Sequence, residues 1–176
     1  MTDGTALREI AAEILTEILE KGQYTHLALF QALSKYQYLE KSDRSFLKRI
    51  VDGTVEYKIQ IDYIINAYSK TKVHKMKPFI RTLLRMSVYQ IYYMDRVPDS
   101  AACNEAVRLA KKRGFSGLSG FVNGVLRSVV RGKGKLTFPD DSVRYSMPDW
   151  ILSLWEENYG AETTHRMAQA GLEKRP

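Results

Sequence analysis

Between Tyr63 and Met94 the chain carries no aspartate or glutamate, while Lys70, Lys72, Lys75, Lys77, Arg81 and Arg85 place six positive charges there. A one-signed cluster of this kind attracts phosphates and releases their counterions. A solvated basic face would look similar, but the lack of interspersed acids favours a polyanionic partner. Lys111, Lys112 and Arg113 form a second cluster, with Arg127 further on. It falls at a helix end, where cations also meet the negative end of the helix dipole. Arg81 and Arg85 are four residues apart and share one helix face; Arg85 reads equally well as an internal bridge. Tyr68, Tyr89, Tyr92 and Tyr93 lie near the acid-free stretch. Aromatic faces stack unpaired bases, although Tyr89 and Tyr92 share a helix with core residues and packing competes for them.

Other chemistry is sparse. Cys103 sits among Ala101, Ala102 and Asn104 with no histidine nearby, which suits a buried structural thiol. His26, His74 and His165 are scattered and lack zinc-ligand spacing, so no metal site is expected. Gly114, Gly117 and Gly120 form G-x-x-G-x-x-G, which is not the dinucleotide fingerprint, and no strand pattern precedes them. No catalytic residue and no cofactor are assigned to this chain.

Charge is unevenly placed. Of the net +7, residues 1–132 hold 21 Lys and Arg against 13 Asp and Glu, and residues 133–176 hold 6 against 7. The longest apolar runs, Leu27–Phe30 and Ile91–Met94, are far too short to span a membrane. With no signal-like N-terminus and a single cysteine, a cytoplasmic protein is expected.

The elements that must hold these residues are helical. Leu7, Ile10, Ala11, Ile14, Leu15, Ile18 and Leu19 step by three and four, and Gly22 stops the run. A second helix covers Thr25 to Leu33. Ser42 or Asp43 is placed to cap a third, with Phe46, Leu47, Ile50 and Thr54 inward, leading past Gly53 and Tyr57 into a fourth with Ile61, Ile64, Ile65 and Tyr68. Pro78 opens a fifth after the basic loop. Asp99 or Ser100 caps a sixth, ended by Gly114, and a seventh opens near Leu118. Gly120 and Gly124, four apart, would let helices approach closely. Glu105 and Asn123 are expected to satisfy polar partners between helices.

Residues 5–131 therefore read as seven helices in an all-α bundle. After Arg131 the composition shifts to a basic hinge, Gly132 to Lys135, and a loop through Pro139, Asp140 and Asp141. Two short helices follow, the first capped by Ser146 and closed by Gly160. Their apolar side is expected to bury Trp150 and Trp155 at least partly against the bundle.

The segment Asn104-Glu105-Ala106-Val107-Arg108-Leu109-Ala110-Lys111, then Gly120-Phe121-Val122-Asn123-Gly124-Val125-Leu126-Arg127, resembles the NusB-like domain; Arg8, Asp62, Arg81 and Arg85 match in support. The resemblance covers residues 5–131 and implies seven helices in two packed subdomains that bind RNA. This domain occurs in the antitermination factor NusB and in small-subunit rRNA (cytosine-5) methyltransferases of the RsmB (Sun/Fmu) type. Arg144 to Gly160 is similar to the linker of the methyltransferases, with Met147 where their pattern has histidine. By that resemblance, 1–131 is the RNA-binding domain and 132–176 leads past Pro176 to a catalytic domain. That domain would bind S-adenosylmethionine and hold two motif cysteines, neither of which Cys103 matches. The chain alone is then expected to be inactive, with 16S rRNA as its partner. The alternative is an antitermination factor binding RNA and a ribosomal protein; a purely structural helical domain is the third possibility. NusB's arginine-rich N-terminus is reduced here to Arg8, which leaves the chain's own charge clusters as the candidate site.

Overall fold

The stripe Leu7, Ile10, Ala11, Ile14, Leu15 and Ile18 is buried along helix α1 (Gly4–Leu19) in a computed structural model that describes residues 3–173. Lys174, Arg175 and Pro176, where the chain was expected to run on, lie outside the described residues. Six further helices complete the bundle: α2 (Thr25–Lys35), α3 (Lys41–Glu56), α4 (Lys58–Tyr68), α5 (Pro78–Tyr93), α6 (Asp99–Lys112) and α7 (Ser119–Gly132). No strand occurs among the described residues.

Helix α5 is the axle. From Thr82 to Ile91 every residue is buried, polar ones included, because α1, α3 and α4 cover some of its faces while α6 and α7 cover others. A helix buried all round must be apolar or internally satisfied. Gln90 illustrates the second case: its amide donates to the Met86 carbonyl at 2.9 Å and its oxygen accepts from Arg8 Nε at 2.8 Å. The two helix groups thus share one continuous core through α5.

Several local expectations change. Neither Ser42 nor Asp43 caps α3; the helix starts at Lys41, and Asp43 is buried in its first turn. Pro98 rather than Asp99 or Ser100 precedes α6, and no side chain caps it. Gly53 does not interrupt α3. A Cβ there would stand 2.0 Å from Tyr89 Cζ, so this glycine makes room for a ring. Gly132 does the same for Tyr68, whose hydroxyl donates to the Gly132 carbonyl at 3.3 Å. Gly120 and Gly124, by contrast, have open space where a Cβ would project, and no helix approaches them. Their spacing served no contact.

Beyond the bundle lie α8 (Asp141–Tyr145), α9 (Asp149–Tyr159) and α10 (Ala161–Glu173). Helix α8 falls at the end of a stretch read as loop, and Asp140 caps it by accepting from Val143 N at 3.0 Å. Ser146 does not start α9. It sits in the left-handed region at φ 50° where α8 ends, and Pro148 precedes α9. These helices have their own small core of Tyr145, Leu152 and Ala168, with Met147 and Trp155 against it. Trp155 is therefore half-buried away from the bundle, and Trp150 is 69% exposed, against expectation. Gln60, buried on α4, joins the two cores: its amide donates to the Arg144 carbonyl at 3.0 Å and its oxygen accepts from the Tyr93 hydroxyl.

Candidate nucleic-acid interface

Residues 69–77 carry the lysines on a braced loop. Val73 and Met76 are buried and pin it to the core, and a single 3-10 turn, Val73–Lys75, lies between Lys72 and Met76. The Val73 amide donates to Asn66 Oδ1 at 2.9 Å, and Ser69 Oγ donates to the Thr71 carbonyl at 2.6 Å. Arg81 Nη1 donates to the Met76 carbonyl at 3.3 Å. With the apolar residues turned in, Lys70, Lys72, His74, Lys75 and Lys77 are all exposed, and none of the four lysines has an ion pair among the described residues. Such a loop presents its charges without having to order itself first, which lowers the entropic cost of binding.

The arginines of the same stretch have other duties. Arg85, its side chain 7% exposed, donates through Nε to Asp62 Oδ1 at 2.8 Å and through Nη2 to Oδ2 at 3.1 Å. Its Nη1 also lies 3.8 Å from Glu20. Arg81 makes a two-pronged pair with Glu20, its Nε donating at 2.6 Å. The hydrogen bond from Arg81 holds the Glu20 carboxyl below the usual carboxylate range, and Glu20 in turn raises Arg81. Both arginines tie α5 to α1 or α4, leaving them little capacity for phosphate.

The second cluster divides similarly. Lys111 is exposed without an ion pair among the described residues. Lys112 pairs with Glu9 at 2.8 Å, and Arg113 pairs with Glu9 at 3.0 Å and Glu13 at 3.3 Å. The Lys112 hydrogen bond leads in lowering Glu9, and Glu9 leads in raising Arg113. Arg113 also lies over the Phe79 ring, which stacks on Phe115 with centroids 5.7 Å apart. Arg127 donates to Asn123 Oδ1 at 3.2 Å and to Asn104 Oδ1 at 2.9 Å, joining α7 to α6. Glu105 accepts from Thr5 and Arg108, so it bridges α6 to α1. Arg8, the residue left of an arginine-rich start, is buried, and that burial lowers its pKa.

The tyrosines are structural. Tyr89 and Tyr93 are tilted against Tyr57, and Tyr68 lies against Gly132. Burial first, then the Tyr57 hydroxyl, pushes Tyr93 well above the usual phenol range. The Cys103 thiol is buried, and burial raises it too. Of the glycine series, Gly114 (φ +86°) and Gly117 lie in the turn from α6 to α7, and Gly120 lies in the first turn of α7. That turn joins two helices, so these residues do not fit a nucleotide cofactor.

Missed from sequence was a cleft of about 250 Å³ beside the lysine loop, lined by Thr71, Lys75, Met76, Lys77, Ile80, Leu118 and Phe121. Its two walls are some forty residues apart in the chain, and no local pattern joins them.

An all-helical bundle with this helix order defines the class to which the chain is compared. Residues 5–131 match the NusB family, and the chain belongs to that family. It is 37% identical over 174 residues to the probable ribosomal RNA small subunit methyltransferase B of Bacillus subtilis, which covers 96% of this chain and 38% of that protein. It is 35% identical to the transcription antitermination protein NusB of Symbiobacterium thermophilum, over 77% of this chain and 94% of that one. Among solved structures, a chain from antitermination factors NusB and NusE in complex with dsRNA shares the fold. It has a TM-score of 0.67 and 21% identity, covering 73% of this chain and 96% of that one. The chain thus spans well under half the length of its methyltransferase relative.

Proposed function

We propose that this chain is the RNA-docking portion of an S-adenosylmethionine-dependent small-subunit rRNA (cytosine-5) methyltransferase. Residues 1–131 hold 16S rRNA, and 132–176 lead to a catalytic domain outside this chain that carries the cofactor. The observation that carries the docking role is the braced loop, with Lys70, Lys72, Lys75 and Lys77 exposed and unpaired among the described residues. Lys111 adds to them, whereas Arg81, Arg85, Lys112, Arg113 and Arg127 chiefly hold helices together. Lysine contacts to phosphate carry little base information, so the affinity is broad and the rest of the parent protein supplies selectivity.

The methyltransferase parent is favoured over an antitermination factor by extent. The match to the methyltransferase takes in 96% of the chain, while the match to NusB uses 94% of NusB and takes in only 77% of this chain. The antitermination reading, with a ribosomal protein partner, draws on the same family and remains the second choice. Both place the protein in the cytoplasm; no helix of the described residues is long and apolar enough to cross a membrane.

The test is a titration of small-subunit rRNA fragments at several salt concentrations. Five lysine contacts should give a log–log slope of about −3.5 to −4.5. Salt-independent or absent binding contradicts the docking role. Calorimetry should show no saturable S-adenosylmethionine binding by this chain, and micromolar binding would contradict the division of labour.

A further inference from the structure

We infer that the outer face of α9, Trp150 with Leu154, is the surface on which the catalytic domain of the parent protein docks. This rests on the proposed methyltransferase parent and deepens it: α8–α10 become the bracket that holds the catalytic domain at a fixed offset from the lysine loop.

The face is apolar, bare and acidic at its margins. Trp150 and Leu154 are four residues apart on one side of α9, and they are 69% and 48% exposed. Helix α9 has no lysine or arginine, while its Asp149, Glu156 and Glu157 are all exposed. Such a helix repels a polyanion, so RNA does not explain the face. Large apolar side chains at helical spacing, rimmed by carboxylates, fit a protein surface with an apolar centre and basic margins. The opposite side of α9 is already used: Leu152 is buried, and Trp155 lies against the small core. Tyr145, Leu152 and Ala168 are the only buried apolar side chains of α8–α10 among the described residues, which makes this a thin layer with one face left open.

The course of the chain points to the occupant. Gly160 alone separates α9 from α10, and Leu152 and Ala168, each eight residues from it, pack in one cluster. Helix α10 therefore runs back along α9, and its end at Glu173 comes level with the start of α9, where Trp150 stands. A polypeptide continuing from there emerges beside the open face. The match to the Bacillus subtilis methyltransferase takes in 96% of this chain but 38% of that protein, and under the proposed parent the remainder follows this chain. A domain tethered so closely meets the face at high effective concentration, so two large side chains suffice where free partners would need a wider contact. On its other side the bracket is fixed to the bundle, because the Gln60 amide on α4 donates to the Arg144 carbonyl in α8.

The experiment is hydroxyl-radical footprinting, read residue by residue by mass spectrometry, on this chain and on the full-length protein. Labelling of Trp150 and Leu154 should fall several-fold from the first to the second, while Phe30 and Tyr38, each 69% exposed on the bundle, should stay unchanged. Trp150→Ala should leave the melting temperature of this chain as it is, since the side chain is largely exposed here. In the full-length protein the same substitution should restore labelling of Leu154 and lower methylation while rRNA affinity is kept. Trp150 labelled equally in a full-length protein that binds S-adenosylmethionine overturns the docking face and leaves the parent standing. Protection of Trp150 in this chain alone, on raising its concentration or adding an rRNA fragment, gives the face to a second copy or to RNA and overturns it too. A full-length protein that binds no S-adenosylmethionine overturns both the face and the parent.

Discussion

Gly53 and Gly120 are both helical glycines, yet one methyl group has opposite consequences at them. At Gly53 it would collide with the Tyr89 ring inside the core; at Gly120 it meets nothing. Gly53→Ala is expected to cost about 1–3 kcal/mol by overpacking, visible as a lowered denaturant midpoint. Gly120→Ala should lie within about 0.5 kcal/mol of the parent or above it, since alanine is the better helix former. Equal effects at the two sites would show that the Tyr89 ring does not occupy the space left by Gly53. Glu20 offers a second residue-level test. Its folded-state pKa lies below its unfolded value because Arg81 and then Arg85 favour the carboxylate. That stabilisation is present at neutral pH and disappears as pH falls through the carboxylate range and below. Glu20→Gln should therefore lower stability at pH 7 and leave it nearly unchanged near pH 2, where the parent has lost the same contribution. A stability difference that persists unchanged in acid would contradict the pairing.

At the scale of elements, the loop 69–77 and the segment 136–173 each combine apolar packing, Val73 and Met76 in the first and Leu136 and Phe138 in the second, with a polar tie from α4. Asn66→Ala removes the acceptor for the Val73 amide without altering net charge. It should speed hydrogen exchange at Val73 and weaken RNA binding modestly; unchanged exchange would mean that Val73 and Met76 alone brace the loop. Gln60→Ala should leave α1–α7 folded and raise proteolysis of α8–α10, because it removes the carbonyl contacts at Val143 and Arg144. Helix existence was legible in the sequence, since Leu7 to Ile18 and Pro78 to Ile91 follow helical spacing and Pro78 and Gly114 mark ends. What escaped depended on partners remote in sequence. Arg85 looks like its lysine neighbours until Asp62 is found opposite it. Helix α8 is five residues long and rests on one cap and on Gln60, signals too short for periodicity to register. Trp150 and Trp155 were rightly placed on a helix, but that helix builds its core with α8 and α10 instead of the bundle. The cleft beside the loop needed the fold to bring Leu118 and Phe121 beside Lys75.

Over the whole molecule, charge and packing are divided between two ends of one task. The bundle presents four unpaired lysines on one loop and uses Arg81 and Arg85 as internal ties, while the segment after it is fastened through Gln60, Leu136 and Phe138 and its three helices carry no basic cluster among the described residues. The central claim is that the loop lysines, and not the arginines after them, hold RNA. It is tested most directly by reversing Lys72, Lys75 and Lys77 to glutamate together and titrating an rRNA fragment at several salt concentrations beside the parent. The triple variant should keep its helical content and melting temperature, bind many-fold more weakly, and show a salt slope shallower by about 2–3. Binding equal to the parent at every salt concentration would make the acid-free stretch a solvated face and contradict the account.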